Sequence, residues 1–561
     1  RDCLLSRGLG DVYKRQVAEK EPACGEEDTM YSSYTTLQRA QLAKQEYLDT
    51  QEVFLGIYAP GRNAALKASL QDQLHRKFLL TDSLRPEALG SAAGVLLVRE
   101  DLFLMSTALS CFADALRSGA DYVTSDAVFG YSGVTTLYHS QGFAACPGCA
   151  LVSRELLRRC QAEARDPENP VELLTLAAKL SRSHVCLPLA LAHYERDICA
   201  EDVWSVKGKR VFIMSHLLDM TGAPIVLVSA VPVLRSMGYE VVVLGPEDGG
   251  SMPLFLEAGA TVITRKGCVQ SPLLWGLALC ADLVLANTVV EARAVRALSG
   301  ARVPVLWWLH DAFAGYPHIA HQIPRELGEN IRLYSVGSHA ANAMHSVRPE
   351  FNIRPLIYGL PDYAAEKFSH YDLSYAGGRP LFATVGSFEN RKGQDIFCKA
   401  IRLLPPETMK KASFLFVGKA AEAEMMDAVR SLTADCPDNV FYVKRLTRDE
   451  IKSLMAQCTC LVCASRDDPM PTFVTEGLIF GKPAIVSEHT GTAGLITEGV
   501  DGFVYEDDDP EKLAERLAWA IEHPEKLAAM RPACRELYEN HYSKQAFSDS
   551  LQQAVKELTG E

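Results

Sequence analysis

The sequence predicts an α/β protein in which two Rossmann-like domains with parallel sheets face a cleft, preceded by a short α/β domain. The chain has 561 residues, of which 48% are apolar and 23% charged, so it is large enough for several globular domains. From residue 207 onward, short apolar runs alternate with segments of helical period. This alternation is typical of βαβ units on parallel sheets, and it occurs twice.

The first series predicts a domain at residues 207–365. Amphipathic segments at 223–237 and 289–298 are the predicted crossover helices. The predicted strands lie at residues 211–215, 240–244, 261–264, 282–286 and 303–309.

The second series follows Gly377 and Gly378 and predicts a domain at residues 377–523. The Gly-, Pro- and Asp-rich interval 360–380 is the predicted linker, and residues 524–561 are predicted to be C-terminal helices. Ligands of such sheets bind beyond the carboxyl ends of the strands, so site residues are expected there. The predicted strands lie at residues 381–385, 413–417, 440–443, 460–464 and 483–487.

The N-terminal part of the chain predicts a different, shorter α/β unit at residues 51–202. Residues 17–50 predict an exposed helix or a disordered leader. Residues 1–16 resemble translated sequencing-adapter read-through, so we expect a non-native tail, with an ordinary disordered tail as the alternative. In the unit itself, strands are predicted at 53–58, 77–81, 94–98 and 121–125, and helices at 64–74 and 106–118.

The charge balance is acidic, since 57 Lys and Arg oppose 70 Asp and Glu for a net charge of −13. Spread-out negative charge argues against nucleic acid or an anionic membrane as a partner, but is compatible with a compact basic pocket for a phosphorylated small molecule. No apolar run reaches the roughly 20 residues that cross a bilayer. The longest such run, at 273–286, is interrupted by Asp282.

The 16 cysteines show no regular framework, which suits a reducing cytosol better than a disulfide scaffold. Cys146 and Cys149 form one pair without a second pair. Cys458, Cys460 and Cys463 alternate along an apolar run that predicts a strand. We therefore expect no metal site.

The strongest motif lies between Ser465 and Ser487. Asp468 and Glu476 are eight positions apart, prolines between them favour an extended approach, and Thr472 is the predicted N-cap of the helix that follows. A carboxylate at this place can accept both hydroxyls of a ribose, and a helix N-terminus offers amides to phosphate oxygens. The alternative is a capped surface helix with two solvated acids.

Two further strand ends of the same half carry complementary chemistry. Gly386 follows the first strand and precedes two adjacent cations, Arg391 and Lys392, that suit a diphosphate. The loop after the 483–487 strand contains the small residues Thr490, Gly491 and Thr492, whose backbone can approach a phosphate or a sugar closely. Cation, carboxylate and Gly-rich loop are thus predicted at neighbouring strand ends.

With these motifs, residues 207–558 resemble the retaining nucleotide-sugar glycosyltransferases of family 4, which have the GT-B fold. The resemblance implies that Glu476 holds the nucleotide ribose, that Lys392 with Arg391 binds the diphosphate, and that Asp468 lies near the donor sugar. It also implies that the C-terminal helices cross back onto the N-terminal lobe.

Several positions depart from or extend this resemblance. The paired acids of the family are usually both Glu, so Asp468 is one methylene shorter. Many members carry Arg directly after the Gly of the first strand, where this chain has Ser387, and Arg391 is the candidate substitute. Gly418 and Arg445 fall where the family lines its nucleobase pocket.

In the N-terminal half, Gly222 follows the first strand and resembles the family's glycine loop, which approaches the donor phosphates. His310 ends a later strand and resembles the family histidine that touches the donor sugar, although a lone His can also be a purely structural residue. His310, Asp468 and Glu476 are the predicted catalytic residues. In front-face mechanisms proposed for such enzymes, the leaving phosphate accepts the acceptor proton, so no dedicated protein base is required.

The unit at 51–202 resembles a degenerate family 2 glycosyltransferase of the GT-A type. That family holds a divalent cation with an Asp-x-Asp motif, where this chain has Arg99, Glu100 and Asp101 after Val98. Hard cations need clustered oxygen ligands, so we expect no divalent cation there. A second transferase that uses Glu100 and Asp101 is the alternative.

Together these features predict a retaining glycosyltransferase that requires no cofactor in its GT-B module. The resemblance implies a nucleotide-sugar donor, a saccharide or lipid-linked acceptor in cell-envelope polysaccharide synthesis, and a cytoplasmic enzyme with at most peripheral contact at the inner membrane face. Two alternatives are a non-catalytic carbohydrate-binding or scaffold protein and a nucleotide-sugar epimerase on the same fold.

Overall fold

The computed structural model describes residues 52–61, 63–131, 134–139, 148–204, 208–268, 271–436, 438–506 and 508–561. The predicted tail at 1–16, the predicted leader at 17–50 and Cys146 lie outside these residues. The described chain forms two compact units, the first within Arg1–Pro224 and Leu234–Val284, the second within Ile225–Val233 and Leu285–Glu561.

The first unit contains eleven strands among its described residues. They are β1 (Leu55–Tyr58), β2 (Phe78–Thr81), β3 (Gly94–Val98), β4 (Phe103–Leu104), β5 (Tyr122–Tyr131), β6 (Val134–His139), β7 (Cys149–Ser153), β8 (His184–Tyr194), β9 (Lys209–Met214), β10 (Tyr239–Gly245) and β11 (Thr261–Thr264). Its helices are α1 (Ala64–Leu70), α2 (Pro86–Leu89), α3 (Ala108–Arg117), α4 (Arg154–Glu163), α5 (Pro170–Leu180), α6 (Ala200–Val203), α8 (Met252–Glu257) and α9 (Pro272–Ala278), while α7 (Gly222–Ser236) is shared between the units.

One mixed sheet runs through the first unit in the order β2-β1-β3-β7-β5-β6-β11-β10-β9, and β8 pairs with β5 and β4. The antiparallel pairing of β6 with β11 joins the N-terminal part of the chain to the part that follows residue 207. At this junction His139 lies between two acids, with Nδ1 2.8 Å from Asp126 Oδ2 and Nε2 3.1 Å from Asp248 Oδ1. Burial alone would lower the pKa of His139, but the two acids raise it well above its ordinary value.

The second unit is built from parallel sheets. Its strands are β12 (Leu283–Asn287), which begins in the first unit, β13 (Val305–Leu309), β14 (Ile331–Ser335), β15 (Ile353–Pro355), β16 (Leu381–Val385), β17 (Ser413–Val417), β18 (Val440–Val443), β19 (Cys460–Cys463), β20 (Ala484–Ser487) and β21 (Gly502–Tyr505). Its helices are α10 (Ala292–Leu298), α11 (Tyr316–Ile319), α12 (Ser338–His345), α13 (Gln394–Leu403), α14 (Pro406–Met409), α15 (Ala423–Leu432), α16 (Arg448–Gln457), α17 (Thr472–Ile479), α18 (Pro510–Glu522), α19 (Pro524–Ala529), α20 (Arg531–Leu537) and α21 (Lys544–Thr559).

The strand order β18-β17-β16-β19-β20-β21 places the first strand of the C-terminal half beside β19 and β20. All of these pairs are parallel, so the carboxyl ends of β16, β19 and β20 lie at one edge. The other sheet of the unit has the order β15-β14-β13-β12. The last helix, α21, packs on this sheet, where the Phe547 ring stacks on Trp308 with centroids 5.6 Å apart.

The predicted strands at 94–98, 261–264, 381–385, 413–417 and 440–443 are confirmed with their bounds. Cys460 and Cys463 lie in β19, which confirms the strand prediction for these two cysteines, whereas Cys458 caps the helix that precedes the strand. The sequence did not predict β4, β6 to β8, β14, β15 or β21. Among the described residues, no helix has the length and apolar character to span a membrane.

Candidate active site

The candidate site lies in the second unit, where three loops leave adjacent parallel strands. These are residues 386–393 after β16, 464–471 after β19 and 488–494 after β20. Because β19 lies between β16 and β20 in the sheet, the loop after β19 is flanked by the other two. Each loop carries one of the predicted chemical groups.

Lys392 and Asp468 form an ion pair across the first two loops, with Nζ donating to Oδ2 at 2.5 Å. Lys392 ends a 3-10 turn, and Gly393 then adopts a left-handed conformation with φ of 62°. A Cβ atom on Gly393 would lie 1.9 Å from the carbonyl oxygen of Ala464, so only glycine lets the two loops approach this closely. Asp468 is 4% exposed, so its charge is largely removed from water.

The third loop is bonded to Asp468 through the backbone. The Asp468 amide donates to the His489 carbonyl at 3.1 Å, and the Gly491 amide donates to the Asp468 carbonyl at 3.0 Å. A Cβ atom on Gly491 would lie 1.8 Å from the Pro469 carbonyl oxygen. Thr490 and Thr492 are buried, with their hydroxyls 3.2 Å apart. The small residues of this loop are therefore required for its contact with the acidic loop.

Glu476 lies in the second turn of α17 rather than at its start. Its Oε1 is 2.5 Å from Nη1 of Arg448, the first residue of α16. The predicted N-cap was wrong, because α17 begins at Thr472 itself, and Pro471 before it provides no side-chain cap. The Thr472 hydroxyl instead accepts a long hydrogen bond of 3.4 Å from the Tyr358 hydroxyl.

Burial raises the pKa of Glu476, and the charges of Arg448 and Lys452 offset part of that rise. Burial also raises the pKa of Tyr358, and the charges of Asp468 and Glu476 raise it further. Tyr358 thus lies within electrostatic reach of both predicted acids, although each acid has its own cationic partner.

Arg391 has different partners from Lys392. Its guanidinium donates to Glu389 Oε1 at 3.0 Å and to the Asp467 carbonyl at 3.0 Å. The Ser387 hydroxyl donates to the same Glu389 oxygen at 2.8 Å. Ser387 stands where family members carry Arg, and Arg391 is the candidate substitute for that arginine. Both residues are therefore linked through the Glu389 carboxylate.

The predicted base-pocket residues occupy separate places on this edge. Gly418 follows β17, and a Cβ atom there would lie 1.8 Å from the carbonyl oxygen of Gly386, so these two strand ends are in close contact. Arg445 is exposed in the loop after β18.

His310 directly follows β13 and is partly buried, with its ring centroid 4.5 Å from that of Trp308. Next to it, Asp311 Oδ2 accepts from the Val289 amide at 2.6 Å. Burial raises the pKa of Asp311 to about 6, even though the amides of Val289 and His310 lower it.

Asp467 joins the loop after His310 to the acidic loop, and the sequence prediction missed it. Its two carboxylate oxygens accept from the amides of Phe313 at 3.1 Å and Ala314 at 3.0 Å. His339, near the start of α12, also lies 2.7 Å from Asp467 Oδ1. Burial alone would raise the pKa of Asp467, but His339 and the two amides bring it below its ordinary value. Its position beside Asp468 was the available sequence signal.

The acids of the predicted degenerate motif in the first unit are held by protein groups. Glu100 pairs with Arg99 at 2.9 Å and with Arg196 at 2.7 Å, and both arginines also pair with Asp202. Asp101 accepts from the amides of Ala65 and Leu66 at the start of α1. No group of three metal-ligating side chains occurs among the residues that the structure describes.

Gly222, the predicted glycine-loop residue, is the first residue of α7 and belongs to the first unit. A Cβ atom there would meet no neighbour within 4 Å. Its approach to a donor stays a prediction.

Two family descriptions match this chain. Residues 207–343 match "Glycosyl-transferase family 4" and residues 367–537 match "Glycosyl transferases group 1". The chain therefore carries both domains of a GT-B glycosyltransferase.

Curated relatives match parts of the chain. An uncharacterised glycosyltransferase of Methanocaldococcus jannaschii is 26% identical over 144 residues, which are 25% of this chain and 38% of that protein. A glycogen synthase of Pseudomonas syringae pv. syringae is 26% identical over 201 residues, covering 35% of this chain and 39% of the relative. Spore coat protein SA of Bacillus subtilis is 23% identical over 184 residues, covering 31% of this chain and 48% of the relative. The chain thus spans less than half the length of these relatives.

Among solved structures, that of Anabaena HepE in complex with UDP and glucose has a TM-score of 0.51 and 17% identity, covering 62% of this chain and 100% of that one. HepE in complex with UDP-glucose has a TM-score of 0.51 and 16% identity, covering 62% and 99%. This likeness confirms the predicted α/β class and the GT-B fold.

Proposed function

We propose that this chain, which carries glycosyltransferase family 4 and group 1 domains on a GT-B fold, is a retaining glycosyltransferase. It transfers a sugar from a nucleotide-diphosphate donor to a saccharide or lipid-linked acceptor. The observation that carries this proposal is the convergence of Lys392, Asp468 and the Thr490–Thr492 loop at adjacent strand ends, with Glu476 on the helix that follows.

The donor contacts these groups in the order of its parts, from the ribose through the diphosphate to the sugar. Glu476 accepts hydrogen bonds from the two ribose hydroxyls, and Lys392 neutralises the diphosphate. Asp468 and the loop of Thr490, Gly491 and Thr492 then face the sugar. Because Lys392 is already held 2.5 Å from Asp468, its ammonium is positioned before the donor arrives.

The transfer step breaks the bond between the anomeric carbon and the diphosphate oxygen, and forms a bond from that carbon to the acceptor oxygen on the same face of the sugar. The acceptor hydroxyl proton passes to the leaving phosphate oxygen. Lys392 stabilises the negative charge that develops on the diphosphate. His310 forms a hydrogen bond with the transferred sugar or stabilises its oxocarbenium-like charge. The chain therefore supplies binding and electrostatics rather than a dedicated base.

The resemblance to family 4 supports an acceptor in cell-envelope polysaccharide synthesis and a cytoplasmic enzyme with at most peripheral contact at the inner membrane face. HepE, one of the structural neighbours, is bound to UDP and glucose or to UDP-glucose, which makes UDP-sugars the first donors to test. In the N-terminal part, the pairing of Glu100 with two arginines supports a degenerate module without a divalent cation.

Donor hydrolysis by the purified protein tests the proposal. UDP-, GDP- and ADP-sugars are incubated with wild type and with Glu476→Ala, and free nucleotide and sugar are measured with and without EDTA. We expect slow release from at least one donor, unchanged by EDTA, and at least a roughly tenfold loss in Glu476→Ala, because a charged acceptor of ribose hydrogen bonds is removed.

The other outcomes distinguish the alternatives. Interconversion of the sugar without release of nucleotide would identify an epimerase. Binding without release from any donor would favour a carbohydrate-binding or scaffold protein, and release that Glu476→Ala leaves intact would contradict the ribose assignment.

A further inference from the structure

We propose that Arg448 is a positioning residue of the donor site, which holds Glu476 as a charged, oriented acceptor for the ribose hydroxyls of a nucleoside diphosphate. This inference rests on the proposed function. Arg448 is not among the residues that the sequence predicts for the donor site. It reaches Glu476 because α16 packs against α17.

The ion pair has the geometry of a fixed contact. Arg448 Nη1 lies 2.5 Å from Glu476 Oε1, and the carboxylate side chain is 7% exposed. The guanidinium is engaged through one carboxylate oxygen, so Oε2 and the second lone pair of Oε1 can still accept hydrogen bonds. An isolated carboxylate in so buried a place would carry a large desolvation cost.

Tyr363 also contacts the Arg448 guanidinium. Its hydroxyl accepts from Arg448 Nη2 at 3.1 Å, and its ring centroid lies 5.1 Å from Arg448 Cζ. Lys452 Nζ lies 4.7 Å from the same ring centroid and pairs with Glu366 at 2.5 Å. Arg448 is thus held by an acid and an aromatic ring, although half of its side chain is exposed.

Arg448 is one of several charged residues around Glu476, and these charges affect the pKa of the Glu476 carboxyl. Lys452 and Arg448 both favour the ionised Glu476 carboxyl, and the charges of Asp468 and Glu476 both raise the pKa of Tyr358. The elements packed on the far side of α17, α20 and residues 538–542, place Arg535 there, which is balanced by Asp362 and Glu539.

The pH dependence follows from these charges. Burial raises the pKa of Glu476, and Arg448 opposes the rise, so removing Arg448 moves the pKa further upward. Protonation turns one carboxylate oxygen into a donor and removes the charge that strengthens the hydrogen bonds from the ribose hydroxyls. Donor affinity should therefore be lost as the pH falls through the Glu476 pKa, at a higher pH in the variant than in wild type.

Equilibrium titration of the full chain with UDP, GDP and ADP from pH 5.5 to 8 tests the inference. For Arg448→Gln we expect nucleotide binding roughly tenfold weaker than wild type at pH 7, a loss that grows toward pH 5.5, and kcat at saturating donor within about threefold. Arg448→Lys should recover most of the affinity. Arg516→Gln is the matched control, because its guanidinium has an exposure similar to that of Arg448, pairs with Glu498 at 2.8 Å and lies beside the Phe503 ring.

Two results would overturn the inference. One is nucleotide binding by Arg448→Gln that equals or exceeds that of wild type, and the other is a weaker binding with the pH profile of wild type, as a purely structural role predicts. If Arg448→Gln does not fold, Tyr363→Phe is the second variant, because it removes the hydroxyl that accepts from Arg448 Nη2. It should weaken nucleotide binding about threefold with the same change in pH dependence. Failure of wild type to bind any of the three nucleotides would contradict the proposed function instead.

Discussion

Arg391 and Lys392 are adjacent in the chain but have different electrostatic surroundings. The Lys392 ammonium lies against Asp468, whereas Arg391 is neutralised by Glu389 and anchored on the Asp467 carbonyl. The sequence predicts the pair of cations because they precede a helix at a strand end. It could not predict which of the two cations pairs with Asp468, because the 3-10 turn and the left-handed Gly393 set that direction.

The same limit applies to the two acids. Their spacing of eight residues predicts that both lie near one strand end, and both do lie within reach of Tyr358. The partner of Glu476 is a residue of another helix, 28 positions earlier in the chain, so no local pattern indicates it. Asp467 was missed because a run of two acids gives no sign of which one binds backbone amides.

Glu291 is a buried acid whose pKa is raised to about 8 by burial. Between the ordinary pKa of 4.5 and that value, the unfolded chain releases a proton that the folded chain keeps, so stability falls as the pH rises across this window. Glu291→Gln should therefore raise the Tm at pH 8 by roughly 5 °C and leave it nearly unchanged at pH 4. Thermal unfolding followed by circular dichroism measures both values.

The exposed Glu326 provides the control for this prediction. Glu326→Gln should leave the Tm unchanged at both pH values. Equal effects of the two substitutions, or a Glu291→Gln effect that is independent of pH, would contradict the account of a desolvated carboxyl.

At the scale of elements, most parallel strands of the second unit were predictable because each is a short, mainly apolar run, whereas β14, β15 and β21 were not predicted. The strands β16, β17 and β18 have the predicted bounds for this reason. In the first unit, only residues up to 125 of the long strand β5 were predicted and β8 was not, since their runs contain polar residues such as Asp126 that are satisfied by distant partners. The β6–β11 pairing depends on such a contact across more than 100 residues.

The Asp467 contacts join the segment after His310 to the loop that carries Asp468. If this contact aligns the two groups for transfer, Asp467→Asn should lower kcat for donor turnover about tenfold, because a charged acceptor of two amides and His339 is lost. The Kd for the nucleotide should change less than about threefold, since Lys392 and Glu476 are intact.

Steady-state turnover and equilibrium titration on the same preparations check this prediction. Asp427→Asn, an exposed substitution of the same kind on α15, should alter neither quantity. Unchanged kcat in Asp467→Asn, or equal losses in kcat and in nucleotide affinity, would show that the contact does not align the reacting groups.

At the scale of the whole molecule, the two units carry different kinds of charge arrangement. In the first, the acids of the predicted cation motif are committed to Arg99, Arg196 and the start of α1. In the second, cations and acids are paired at strand ends next to glycines that no larger residue could replace. The net charge of −13 is therefore compatible with a small site of paired charges, because the charges that define that site are local.

Nucleotide binding to the second unit is the central claim, and equilibrium titration of UDP, GDP and ADP into wild type, Lys392→Ala and Arg391→Ala tests it most directly. The account predicts that wild type binds at least one of them, that Lys392→Ala weakens this binding at least roughly tenfold, and that Arg391→Ala weakens it about threefold or less because Glu389 and the Asp467 carbonyl both hold that guanidinium. Absence of binding to all three nucleotides, or a Lys392→Ala affinity equal to that of wild type, would contradict it.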